Sequence, residues 1–233
     1  MGFGNRKTRI RLIAATAAIA SVAVACPPTG AGQYWVSLDQ NSAVYSDWLP
    51  GKSIGGWISS GMVFNLTPAA RAAGLQTPIS LVLHQVNVET GSSFSINPID
   101  SFPPPEGDAA YAYQSWIDVP AAGSFCAGEG ILGCAVLQRQ VCNESRCYYG
   151  GSLVEFNLPA ITPPFNVQGT VAHELGHALG LDHACGTLNG AYPVMWGADT
   201  CATPVNDPTS SYVSFVEPDL VGLRWMKANS FPN

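Results

Sequence analysis

Basic residues are scarce in this 233-residue chain, with ten Lys and Arg against sixteen Asp and Glu. Four of the ten, Arg6, Lys7, Arg9 and Arg11, fall in the first eleven residues, where there is no acid. Beyond residue 25, six cations face all sixteen acids, a net charge of −10. No patch forms among those six, which argues against nucleic acid as a partner, since backbone recognition needs clustered cations. Long hydrophobic runs are lacking as well. The uncharged stretch LIAATAAIASVAVA at 12–25 is short of the about 20 residues a membrane-spanning helix needs. There is no internal repeat, no low-complexity tail and no biased linker. That leaves one domain, with 47% apolar content to build a core.

The basic start, the short apolar run and the small residues of Ala23-Val24-Ala25 describe an export signal. Residues 1–25 are therefore expected to be a signal peptide and 26–233 a single domain, secreted and monomeric. Cys26 follows the expected cleavage site directly and is the candidate lipidation site of a bacterial lipoprotein. The branched residue usual three places before such a cysteine is replaced by Ala23. Secretion and lipid anchoring outside a bacterial membrane thus stand as alternatives, the lipid being the sole membrane link. Six further cysteines, at 126, 134, 142, 147, 185 and 201, suit three disulfides in an oxidising compartment.

Along the chain, QYWVSLDQ (33–40), ISLVLHQVNVE (79–89), AYAYQSWIDV (110–119), ILGCAVLQRQV (131–141) and GSLVEFNL (151–158) are expected strands. TPAARAAG around 67–74 suggests a helix starting near Pro68 and stopping at Gly74. NPIDSFPPPEGD (97–108) is expected to be loop. A helix should begin near residue 167, and FVEPDLVGLRWMK (215–227) should close the fold as a short helix. The fold class is α+β, with strands dominating the first two-thirds.

Three of only four histidines fall in VAHELGHALGLDHACG, residues 171–186. On a helix, His173 and His177 project from one face and offer two nitrogens to one ion. Glu174 points beside that ion, where it can hold and deprotonate a water. Gly180 can take positive φ and end the helix. The chain must break there, because His183 on a continued helix would lie well off the face. Three imidazoles with a fourth position left to water describe a catalytic zinc site rather than a structural one. An acid buried beside such ligands also needs a partner, which favours catalysis over storage.

HELGHALGLDH resembles the long zinc signature of the metzincin metallopeptidases, HExxHxxGxxH, and its GLDH ending resembles the matrixin branch. YPVMWG (192–197) supplies the methionine such a family places under the zinc, so Met195 is the expected Met-turn residue, an apolar floor and not a ligand. Gly197 stands where astacin-like and serralysin-like relatives carry a tyrosine. The resemblance implies a metzincin-like zincin domain: a mixed twisted β-sheet with an antiparallel edge strand, an active-site helix, the Met-turn and a C-terminal helix. By strand order, ILGCAVLQRQV would be the edge, with Gly133 to Leu137 pairing with extended substrate, and GSLVEFNL the inner strand. Pocket walls are expected from that edge and from Met195 to Thr200.

The implied function is a secreted zinc endopeptidase acting on peptide or protein through a zinc-bound water, with Glu174 as general base. The alternatives are a zinc-binding homologue without peptidase activity, or a zinc hydrolase of a small amide. Matrixin features are missing elsewhere: Cys26 sits in CPPTG rather than in a PRCGxPD-like latency segment, and the residues for a second, structural zinc are absent. His84 is expected to be an ordinary strand residue. Calcium has candidates in Asp100, Glu106 and Asp108, but no loop pattern supports it. Asp182 is expected to bond backbone. Cys185 and Cys201 flank Met195, and their pairing would brace that segment. Cys126–Cys134 and Cys142–Cys147 complete the set by proximity, and the sequence does not choose among the pairings. The rival role for Cys185 is as a zinc ligand.

Overall fold

A computed structural model describes residues 36–37, 53–100, 114–122, 124–142, 146–163, 165–196 and 212–231. Residues 1–25, Cys26, Glu106, Asp108, Gly197 and Cys201 lie outside them. The described chain is a mixed α/β domain with a mostly parallel sheet and four α-helices. No described helix is long and apolar enough to cross a membrane.

Eight strands are β1 (Val36–Ser37), β2 (Ser53–Trp57), β3 (Val63–Leu66), β4 (Ser95–Pro98), β5 (Gln114–Asp118), β6 (Gly133–Cys142), β7 (Arg146–Phe156) and β8 (Leu181–Asp182). The main sheet runs β2-β7-β5-β3-β4 with every pair parallel, and β6 joins it by antiparallel pairing with β7. β1 and β8 form a separate antiparallel pair. The helices are α1 (Pro68–Ala72), α2 (Gln76–Thr90), α3 (Val167–Ala178) and α4 (Glu217–Ala228). The expected helices at 68, 167 and 217 are in place, α1 capped by the Thr67 side chain, which accepts from Ala70 N.

The segment 79–89 is a correction: it is the middle of α2, not a strand, and His84 lies exposed on that helix. Its buried residues Ile79, Val82, Leu83 and Val86 follow helical spacing, which outweighs the β preference of branched side chains. Leu81 and Val88 on the outer face are 57% and 67% exposed. Those two masked the period by making the run apolar all round. With α1 and α2 spanning much of 68–90, strands do not dominate the first two-thirds. A second correction is small: Asn97 and Pro98, expected in a loop, end strand β4. Register between β3, β4 and β5 is supported by a ladder of amides. Asn97 Nδ2 donates to Asn65 Oδ1 at 2.8 Å, and Asn65 Nδ2 to Gln114 Oε1 at 2.7 Å, so the buried Asn65 is satisfied.

The core joins sheet to helices. Phe64, Leu66, Ile117, Val154 and Phe156 from the strands meet Val82 and Val86 of α2, Val171 and Leu175 of α3, and Leu223 and Met226 of α4. α3 thereby gives its apolar stripe to the core and keeps its other face for the cleft beside β6.

Candidate metal centre

α3 starts where the Asn166 side chain accepts from Gly169 N at 2.7 Å, a standard N-cap. Val171, Ala172, Leu175 and Ala178 bury one side of it. His173, Glu174 and His177 line the cavity on the other. The helix ends as expected at Gly180, whose φ of 92° is a conformation side chains resist. The reversed chain enters β8, and His183 returns to the first two histidines.

The three Nε2 atoms converge. His183 Nε2 lies 3.1 Å from His173 Nε2 and 3.3 Å from His177 Nε2. Nitrogens bound at zinc-like lengths around one tetrahedral ion would lie ~3.3 Å apart. The outer nitrogens are committed elsewhere: His173 Nδ1 faces Val194 O at 2.8 Å and His177 Nδ1 faces Leu181 O at 2.9 Å. A carbonyl only accepts, so each Nδ1 carries the proton and each Nε2 presents a lone pair. Burial, and then the nearby His183, hold the His177 pKa down at about 3 against the pull of the Leu181 carbonyl. Its imidazole is therefore neutral, as a metal ligand must be. Together the triad could hold one metal ion.

Glu174 is 6% exposed, and burial pushes its carboxyl up to about 8. It is the single carboxylate among the described residues that line a cavity of about 490 Å³ beside the triad. One wall is Gly130 to Ala135. The other combines Phe165, Gly169 and Thr170 at the start of α3 with Val194 and Trp196. Walls were expected from the edge strand, which Gly133 to Ala135 supply, and from Met195 to Thr200, of which 197–200 lie outside the described part; the α3 contribution leaves no such mark in the sequence.

Beneath the triad, Met195 is buried, and a Cβ on Gly176 would collide with its Sδ. The thioether therefore packs against the backbone of the histidine-bearing helix. Ala184 N donates to Met195 O at 2.9 Å, tying the segment to the residue after His183. Asp219 holds it from the other side. Fully buried, its carboxylate accepts from Val194 N at 2.9 Å, Met195 N at 3.2 Å and Val216 N at 3.1 Å. Burial pushes this carboxyl up to about 6, with those donors pulling the other way. The sequence suggested only an acidic helix start here. Asp219→Ala would leave two buried N–H groups and one half-buried one without their acceptor, so urea unfolding should show a loss of about 3 kcal/mol. A loss below about 1 kcal/mol would mean the clamp is not rigid.

Other expected residues are placed as follows. Asp182 Oδ1 accepts from His183 N at 2.7 Å, the backbone role expected. Cys126 and Cys134 form a disulfide. Cys142 and Cys147 are register partners across the β6–β7 hairpin. Cys185 is disulfide-bonded, and so has no thiolate to offer a metal. Asp100 is exposed, faces Arg71 at 3.4 Å and is not among the residues that line the cavity beside the triad.

Comparison with protein-family models gives no match to this chain, and neither does comparison with curated proteins.

Proposed function

We propose that this chain is a metzincin-like zinc endopeptidase of the matrixin type, exported from the cell and acting on peptide bonds. The observation that carries the proposal is the convergence of three imidazole Nε2 atoms beside the buried carboxyl of Glu174 in an open cleft. The donor set suits zinc: three imidazole nitrogens, two of them on rings oriented by carbonyls, with one side open to the cavity. Zinc held there supplies Lewis acidity, which lowers the pKa of water and polarises a carbonyl. His173, His177 and His183 would be its ligands.

Glu174 takes the proton of the attacking water and passes it to the leaving amine. Its place on α3, one residue past His173, keeps its carboxyl at the cleft wall formed by Gly133. β6 is the edge strand of this reading. Gly133 to Leu137 run in unbroken register with Phe156 to Ser152, leaving their other side for an extended substrate. Main-chain bonding of that kind gives binding with little sequence choice. A Cys185–Cys201 disulfide beside Met195 belongs to the same reading, and a lipid on Cys26 is its alternative to free secretion.

Digestion of a mixed protein substrate tests the reading. Cleavage is expected, with loss of at least about 90% of the rate under a chelator such as o-phenanthroline and recovery on adding zinc. Cleavage that ignores the chelator sinks the metal. Bound zinc without cleavage favours the non-peptidase alternative, and hydrolysis confined to small amides favours the third.

A further inference from the structure

The cleft wall opposite α3 is tied to the rest of the described chain by a few hydrogen bonds and by one covalent bond. Residues 127–133 lead from a 3-10 turn at Phe125–Ala127 into β6. Of the described side chains from 124 to 135, only Cys126 is buried. Among the described side chains of 127–133, none is buried in the core. Its non-covalent ties lie mostly at the far end, where Asn157 N donates to Leu132 O at 2.9 Å and Asn157 Nδ2 to Ile131 O at 3.0 Å. Near its start, Ser124 Oγ donates to Glu155 Oε2 at 2.6 Å. Yet Gly130, Ile131, Leu132, Gly133 and Cys134 line the cavity beside the triad. The Cys126–Cys134 disulfide closes this loop, joining residues eight apart.

We propose that the Cys126–Cys134 disulfide is a positioning element that fixes this cleft wall, so that substrate binding depends on its oxidation. The dependence on substrate rests on the endopeptidase reading above; the fixing of the wall does not. His173 and His177 on α3, and His183 just after β8, are held by Val194, Leu181 and the core, while Glu174 packs on Gly133, which the β6–β7 ladder holds opposite Phe156. β6 is paired with β7 from Gly133 onward by main-chain hydrogen bonds that the disulfide does not supply. Opening the bond therefore loosens the wall and spares the chemistry. A dithiol opens it by exchange: two electrons and two protons pass to the cysteines, giving two thiols, and the dithiol becomes its own disulfide. Closure is the reverse, with a disulfide oxidant of the exporting compartment accepting them.

The test compares the oxidised protein, loaded with zinc, with the Cys126→Ala/Cys134→Ala variant and with Asn157→Leu, which removes one other tie to the loop. Amide exchange at 127–133 should rise at least about tenfold in the double variant, while α3 keeps its protection and zinc stays at one per chain. On the peptide the oxidised protein cleaves fastest, KM should rise about tenfold with kcat changed less than about threefold, the mark of lost uniform binding. Asn157→Leu should move both readouts the same way, less far. Unchanged exchange at 127–133, or a fall in kcat at constant KM, overturns the proposal. So does loss of zinc or of α3 protection, which would make the bond a support of the whole domain. Exchange and zinc content need no turnover, so an oxidised protein that cleaves nothing counts against the peptidase reading and leaves the wall to be judged by exchange.

Discussion

Glu174→Gln should leave the metal bound and lower kcat for peptide hydrolysis by about three orders of magnitude. The amide preserves the shape of the carboxyl and its packing on Gly133, but it cannot take a proton. No second base stands ready, since no other carboxylate is among the described residues lining the cavity. His173 and His177 have both nitrogens spoken for in the proposed site, one by metal and the other by a carbonyl, and His183 turns its Nε2 to the same centre. Replacing a buried acid by a neutral group also removes a desolvation cost, so the variant should fold at least as well as the parent. Metal analysis and steady-state kinetics on the same preparation decide the matter. Near-parent turnover with full metal would show that the proton goes elsewhere.

The parts of this site that could be read in the sequence are those in which a side chain does the work. Helical period puts His173 and His177 on one face, and the need for a sharp turn picks out Gly180, which does take positive φ. The partners of Nδ1 escaped because they are carbonyls of Val194 and Leu181, and a carbonyl leaves no mark in a sequence. Asp219 was visible as an acid at a helix start. Its bonds to Val194 and Met195, 25 and 24 residues away, depend on how α4 docks. The fold was less legible. α2 was mistaken for a strand because Leu81 and Val88 hide an otherwise regular helical face. β2 and β3 were missed because they sit within a mixed stretch, where SIGGW carries two glycines that weaken any strand signal. Parallel pairing adds to the difficulty: its partners lie far apart in sequence, as β5 and β7 do, so no hairpin turn announces them.

His183→Ala should produce the opposite pattern from Glu174→Gln, with activity lost because the metal is lost. Of the three donors, His183 is the one that α3 does not supply, and it reaches the others only through the turn at Gly180. Removing its imidazole leaves His173 and His177 as a two-nitrogen site, with water left to fill the remaining positions. Metal affinity should fall by about a thousandfold, or ~4 kcal/mol. The backbone around it has its own supports: Leu181 pairs with Ser37, His183 N donates to Asp182, and Ala184 N donates to Met195 O. The variant should therefore keep its far-ultraviolet circular dichroism, which separates loss of a ligand from loss of the fold. Competition with a zinc chelator of known affinity gives the measurement. If the variant still holds one zinc per chain within about threefold of the parent Kd, His183 is no ligand, and its Nε2 contacts with the other two histidines need another explanation.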